Sequence, residues 1–410
     1  MRTIAVAVLV AVLGGCSHEA QVTQPHEASA QVTTNPLYKI TTLPALGLSL
    51  SRGMAINNQG WVAGWSLPGD GTRQAVLWRD GGITPLGTLG GPSSTVPWPG
   101  LNNGGMVVGI SQTTDLDPLN EAWSCEAGNF LPVTVPHKIC RGFVWENNLM
   151  QPLPTLGGTH GFATAVNNLG QVVGWAETPV HDPTCVGVQV LQFRAVLWEP
   201  KKGTTQELPP YPGDSTSAAT AINDNGQVVG ISGDCFVSVG AFSARHAVLW
   251  DHGTVAKLPN LGGTTWHTPM AINSAGDVVG FSNPNEPGDA VGDFIARAFL
   301  WTKGSATATD LKTLPGDFFS EAFSINARGQ VVGISFGGLN GPRAFLYEDG
   351  RLKNLNDLVG PGFLDVLLSA QDINDAGQIT GRLLDHNTGQ TLAFVATPIT
   401  RTIASASPAP

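Results

Sequence analysis

Charge is scarce in this chain of 410 residues: Asp, Glu, Lys and Arg make up 13% of it, against about 25% in an ordinary soluble domain. Water-exposed helices draw on Lys, Glu and Arg for their polar faces, so a helical bundle is excluded. The charge that is present leans acidic, with a formal net value of -10. That balance disfavours nucleic acid and anionic membrane surfaces as partners, since both reward basic patches. Long apolar runs are lacking too. The run Ile4 to Leu13 is about half of the roughly 20 residues that a bilayer-spanning helix needs. Gly (51) and Pro (29) are abundant instead. Together they make about one residue in five, short of the roughly 25–30% that marks low-complexity disorder. With 42% apolar residues available for a core, the composition describes a folded, turn-rich, all-β protein.

The two ends stand apart from the fold. Residues 1–16 read as an export signal: Arg2, the apolar run, then Gly14-Gly15-Cys16. The series Leu13-Gly14-Gly15-Cys16 resembles the lipobox of bacterial lipoproteins, which implies that Cys16 becomes the lipidated first residue of the mature chain. An ordinary cleaved secretory signal is the alternative. Ser17 follows the cysteine, and the resemblance then implies the outer membrane. Residues 17–36, rich in Gln, Thr, Ala, Ser and Glu, read as a disordered tether, and 399–410 as a disordered Ala/Ser/Pro tail. A single folded domain is expected over 37–398.

Within that domain one unit recurs seven times. Division of 410 residues by a usual domain of about 150 suggests two or three domains, but the repeat points to one. An Asn falls at Asn57, Asn102, Asn167, Asn223, Asn273, Asn326 and Asn374. Three residues later comes Gly60, Gly105, Gly170, Gly226, Gly276, Gly329 or Gly377, and four after that Gly64, Gly109, Gly174, Gly230, Gly280, Gly333 or Gly381. Each unit reads as four short strands. Strand A ends at the Asn, a tight turn leads to strand B, a variable loop follows, then come strand C (for example Arg297-Ala298-Phe299-Leu300-Trp301), a second turn and strand D. Asn opening and Gly closing the first turn suit a type I turn with a bulge, the Asn side chain bonding turn backbone and the Gly taking positive φ. Strand C does not alternate apolar with polar residues, so both of its faces are buried, as in sheets stacked around an axis. The expectation is a seven-bladed β-propeller of four short antiparallel strands per blade. The folded region opens with a D-type strand, Tyr38 to Leu43, and the last unit stops after its C strand. The N-terminal strand can therefore complete the last blade and close the ring. A parallel β-solenoid is the alternative, but it would leave no complementary partial units at the two ends.

The repeated Ala-Ile-Asn-x-x-Gly-Gln-Val-Val-Gly, His/Arg-Ala-Val/Phe-Leu-Trp and Leu-Gly-x-Leu-Gly-Gly together resemble the HAF family of bacterial extracellular repeat proteins. His246-Ala247-Val248 approximates the name-giving triplet, and Arg141, Arg194, Arg297 and Arg343 take the His position elsewhere. The resemblance implies an exported repeat protein and brings no shared reaction.

Function is expected on the face carrying the D-to-A and B-to-C loops, where the units diverge. The B-to-C loops are long in blades two to five, and the cysteines concentrate there. Cys125 with Cys140 and Cys185 with Cys235 are the expected disulfides, in keeping with an oxidising envelope; a metal site is the rival reading of the same cysteines. The D-to-A region offers Trp98, His160, Asp214, Trp266, His267, Asp317, Phe319 and Glu321 as ligand-binding candidates. Exposed aromatics can stack on sugars, and carboxylates can bond hydroxyls. Each of these residues also has a structural reading: Asp after Pro-Gly bonds turn backbone, and aromatics pack between blades. No metal or other cofactor is expected. Ca²⁺ at Asp115, Asp117 and Glu121 is weighed against exposed solubilising charge, and the latter is favoured. Gly333-Ile334-Ser335-Phe336-Gly337 matches a nucleophile-elbow pattern, but Gly333 and Ser335 are ordinary repeat positions and no catalytic residue is assigned. The expected function is therefore a lipid-anchored, monomeric, non-enzymatic module of the cell envelope or its exterior that binds a glycan or an envelope protein. A glycosidase or lyase using Asp214, Asp317 and Glu321 is the alternative.

Overall fold

Twenty-eight strands, β1 to β28 in chain order, form seven four-stranded antiparallel sheets. They belong to a computed structural model that describes residues 37–399 apart from 49, 123–128, 131–135, 188, 236–243 and 287–292. The sheets stand in a ring as the blades of a seven-bladed propeller, and among the described residues there is no α-helix. Six blades are built in chain order from the axis outwards, the first from β2 (Ser51–Ile56), β3 (Val62–Ser66), β4 (Gln74–Arg79) and β5 (Gly82–Pro85). The seventh takes β26 (Val366–Ile373), β27 (Ile379–Leu384) and β28 (Thr391–Pro398) from the end of the chain and β1 (Tyr38–Thr42) from its start. Register runs from Tyr38 opposite Pro398 to Thr42 opposite Phe394. The incomplete units at the two ends thus complement each other, and the ring closes.

The strand C run is buried because it packs on both neighbouring blades. Its tryptophans also tie blades together: Trp78, Trp198 and Trp250 donate from Nε1 to the carbonyls of Pro44, Pro154 and Pro209 at 2.7, 2.9 and 2.7 Å. Serines on the inner strands do the same one layer in. Ser51, Ser94, Ser217 and Ser320 accept the amide N–H of Ala393, Ala75, Ala195 and Ala298 on the adjacent blade.

The repeated Asn has two roles, of which the turn is one. At the first repeat Asn57 Oδ1 accepts from the N–H groups of Gln59 and Trp61, and Gly60, at φ 79°, donates to the Asn57 carbonyl. The Nδ2 group points sideways. It donates to the carbonyl oxygen of Asn102, Asn102 to Asn167, Asn167 to Asn223, Asn223 to Asn273, Asn273 to Asn326, Asn326 to Asn374, and Asn374 back to Asn57, at 2.8–3.3 Å. Seven buried amides form a closed belt around one end of the axis. They enclose a cavity of about 240 Å³ whose wall also includes Ile56, Ile222 and their repeat equivalents. Each bond adds about 1 kcal/mol and crosses a blade boundary.

The strand B glycine answers a different need. A Cβ on Gly64, Gly174, Gly230, Gly280, Gly333 or Gly381 would lie 2.0–2.1 Å from a carbonyl oxygen of the adjacent inner strand. That strand bulges here, as the register shifts at Gly53/Ala55 and Ala219/Ala221 show, and its backbone presses against the neighbour.

Candidate functional site

The loop face is held by the same repeat chemistry, which accounts for several of the sequence candidates. The strand B serine accepts an N–H from the incoming D-to-A loop: Ser232 from Tyr211, Ser282 from Leu261 and Ser335 from Leu314. Ser335 is thus a loop anchor. In blade four Ser232 also donates to Asp214 at 2.6 Å, and His246 Nδ1 lies 2.7 Å from the same oxygen. Blade six repeats this with Asp317, which accepts from Ser335 at 2.8 Å and from Arg343 at 2.7 Å. In blade five His267 takes the comparable place, with Nδ1 2.8 Å from Ser282 Oγ and Nε2 3.1 Å from the Gly263 carbonyl. Asp214 and Asp317 are each engaged within their own blade, and neither is brought to a shared cleft with the other. Between blades four and five a cavity of about 370 Å³ is lined by Arg245, His246, Lys257, Asn260, Thr265 and His267.

Trp98 and Trp266 are buried rather than displayed. They belong to an apolar cluster with Phe162, Trp175, Phe193 and Phe281 that gathers residues of blades two to six. Phe162 stacks on Trp175 with centroids 4.1 Å apart, and Trp266 meets Phe294 edge-on at 4.8 Å. Phe130 and Phe294 reach this cluster from the described parts of the long loops of blades two and five. Phe319 is half-buried against Phe294 and Phe336, while its neighbour Phe318 is exposed. The loops of blades three and four are joined by the Cys185–Cys235 disulfide. Cys140 is also disulfide-bonded; Cys125 and Cys16 lie outside the described residues.

Asp117 and Glu121 overturn the expectation of exposed charge, because both are buried beside His160. Asp117 Oδ2 accepts the N–H groups of Leu119 and Glu121, and Glu121 Oε1 accepts those of Val190 and Leu191. Backbone amides left over in irregular loops are thereby satisfied, which is why acidic side chains turn inward here. Among the described residues Asp117 Oδ1, Glu121 Oε2 and His160 Nε2 lack hydrogen-bond partners, His160 Nε2 lying 3.6 Å from Asp117 Oδ1, and the three residues offer ligand atoms within 4.8 Å of one another, close enough for one metal ion. His160 Nδ1, however, accepts the Cys140 N–H at 3.0 Å, so in the neutral ring Nε2 carries the proton and directs it at the carboxylates. A metal on Nε2 would have to break that arrangement. Burial lowers the pKa of His160 and raises that of Glu121, to which the nearby Glu177 charge adds.

Another sector of the axis is polar, and reading the loops alone does not find it. Five residues before the ring Asn, blades three, four and five carry Phe162, Ala218 and Thr268, whereas blades six, seven and one carry Glu321, Ser369 and Arg52. Arg382 lies opposite Ser369 in the ladder, and Gln371 follows two residues along β26. Arg52 and Glu321 sit at equivalent positions on β2 and β22 (Phe319–Ile325), the inner strands that pack on β26 from either side, and each lies within electrostatic reach of the other. Arg52, Glu321, Gln371 and Ser369 are all more than nine-tenths buried. Among the described residues, Arg52 Nε, Arg382 Nε, Gln371 Nε2, Glu321 Oε1 and Ser369 Oγ have no hydrogen-bond partner. Burial pushes the Glu321 carboxyl up to about 8 despite Arg52. Burial, with Arg382 close by, holds Arg52 well below the usual guanidinium value. The sequence signal for this cluster is departure from the repeat on the strands.

No family model and no curated protein matches the sequence. Among solved structures the chain is similar to the acylaminoacyl peptidase of Pyrococcus horikoshii, at 12% identity and a TM-score of 0.49, over 86% of this chain and 52% of that one. The chain therefore spans about half the length of that peptidase. It is also similar to the β-propeller domain of the trilobed protease of Pyrococcus furiosus (9%, TM-score 0.47, 88% of this chain and 100% of that one). An oligogalacturonate lyase in complex with manganese is a third (11%, TM-score 0.49, 89% and 97%). At such identities these likenesses speak to the fold alone.

Proposed function

We propose that this is an exported propeller, held at the cell envelope through a lipidated Cys16, that binds a glycan or protein partner on its loop face without transforming it. The repeat's resemblance to the HAF family supports export, and the Cys185–Cys235 disulfide fits an oxidising compartment. Among the described residues no helix is long and apolar enough to cross a membrane. The observation that carries the binding role is the axial group around Arg52 and Glu321. Five buried polar atoms on strands of blades six, seven and one have no hydrogen-bond partner among the described residues, and unmet buried groups in one sector mark where something else supplies the bonds. An array of acidic and neutral glycans probed with the full chain tests this, with saturable binding to one glycan class expected. Failure to bind any glycan, together with failure to bind envelope proteins, would contradict it.

A second reading, a polysaccharide-active enzyme, is favoured by one feature. A carboxyl raised to about 8 beside a guanidinium can hold or pass a proton near neutral pH. Asp214 and Asp317, bound within their own blades, leave Glu321 as the reactive group in that reading. New reducing ends or an unsaturated product released from an acidic polysaccharide, and lost in Glu321→Gln, would establish it.

A further inference from the structure

We propose that the polar sector of the axis is a site for a small hydroxycarboxylate, the acidic sugar of a glycan above all, with its carboxylate on Arg52 and Arg382 and its hydroxyls on Gln371, Ser369 and Glu321. This rests on the binding role proposed above and names the ligand class.

The site follows by elimination, on charge and on donors and acceptors. The sector holds two guanidinium groups and one carboxyl, so it carries positive charge whatever the state of Glu321, and a cation is repelled. Among the described residues neither Arg52 nor Arg382 forms an ion pair within 4 Å, unlike Arg194, Arg245, Arg297 and Arg343. Guanidinium groups buried this far are ordinarily paired, and a planar carboxylate matches their forked donors. A neutral sugar would leave that charge unmet. Sulfate would meet it, but offers only acceptors, which suit Glu321 when it is protonated and not when it is ionised, whereas a hydroxyl serves either state. A hydroxycarboxylate supplies what each orphan atom lacks: oxygens for Arg52 Nε, Arg382 Nε and Gln371 Nε2, and hydroxyl hydrogens for Glu321 Oε1 and Ser369 Oγ. The setting is not a by-product of the repeat, because equivalent inner-strand positions in blades three and four hold Phe162 and Ala218. Where the turns beyond the same strands need polar side chains, as at the asparagine belt, the chain provides the partners itself.

Calorimetric titration of the full chain with galacturonate and glucuronate tests the site, with galactose, glucose and sulfate as controls. Saturable binding of a uronate is expected, with at least tenfold weaker binding of the neutral sugars and of sulfate. Arg52→Met and Arg382→Met should each weaken uronate binding at least tenfold while the protein still melts cooperatively. Should a Met variant fail to fold, Arg52→Lys keeps a charge but not the fork, and a loss of at least fivefold is expected. Absence of uronate binding by the folded wild type overturns the proposal, and so does uronate affinity unchanged by these substitutions. Uronate binding that survives them but is lost in Lys257→Ala, in the groove between blades four and five, would leave the loop-face role standing and remove the axial site. Failure of the wild type on every glycan and envelope protein would remove the role itself.

Discussion

The two ends of the propeller axis bury polar side chains in opposite ways. At the turn end, seven asparagines donate and accept around a closed belt, each bonded to its own turn and to the next blade. Toward the loop end, Arg52, Arg382, Glu321 and Gln371 hold buried atoms that meet no partner among the described residues. Burying a polar group costs little when it is bonded and of order 1–3 kcal/mol when it is not. The first end is therefore structural, and the second carries a cost that a purely structural ring would have no reason to keep. Proteins hold such costs where function needs them.

Substitutions can break this contrast. Gly230 seats the inner-strand bulge between the two ends, and in Gly230→Ala the new Cβ would meet the Ala218 carbonyl at 2.1 Å. A loss of about 4 kcal/mol in urea unfolding is expected, since backbone must move. Asn223→Ala removes the bond to the Asn273 carbonyl and leaves the turn amides of Asn225 and Gln227 without their acceptor. It should lose about 3 kcal/mol in the same measurement. Glu321→Gln should act in the other direction, increasingly so as pH rises from about 4.3 to 8. The folded-state pKa of about 8 lies above the ordinary value near 4.3, so the native state holds the proton more tightly. Stability from this group is then full below about pH 4.3 and falls as pH rises toward 8. The Gln variant should match the wild type at pH 4 and pull ahead of it as pH rises, with the gap levelling off above pH 8, measured by melting from pH 4 to 9. Smallest of all, Asn58→Ala on the exposed rim of the belt, where Asn58 bonds Asn103 and Asp375, should cost less than about 0.5 kcal/mol in urea unfolding.

Much of the architecture is legible in the sequence because it is local and repeated. Asn-x-x-Gly states its turn within four residues, and the complementary partial units state the closure. The sideways bond from each Asn Nδ2 is not legible, since it exists only once seven turns meet around an axis. The strand B glycine is visible as a repeat, but its cause, a bulge on the paired strand, is a tertiary approach. Among the site candidates, Glu321 stands out as a loop-adjacent carboxylate, whereas Arg52, Gln371 and Arg382 sit on strands and give no loop signal. Trp98 and Trp266 show the converse: large aromatics near loops read as available surface, yet the described parts of the long loops bring Phe130 and Phe294 to the same cluster. Asp117 and Glu121 turn inward for the amides of an irregular backbone, which no local pattern announces.

The most direct test of the contrast is the stability of Arg52→Met beside Asn223→Ala, by urea unfolding of the full chain at pH 7 without added ligand. If the axial cluster is kept for a ligand, removing a buried guanidinium that meets no hydrogen-bond or ion-pair partner among the described residues leaves stability unchanged or raises it, while the asparagine variant loses about 3 kcal/mol. A loss in Arg52→Met as large as that in Asn223→Ala would contradict the account, showing that Arg52 is part of what holds the ring together.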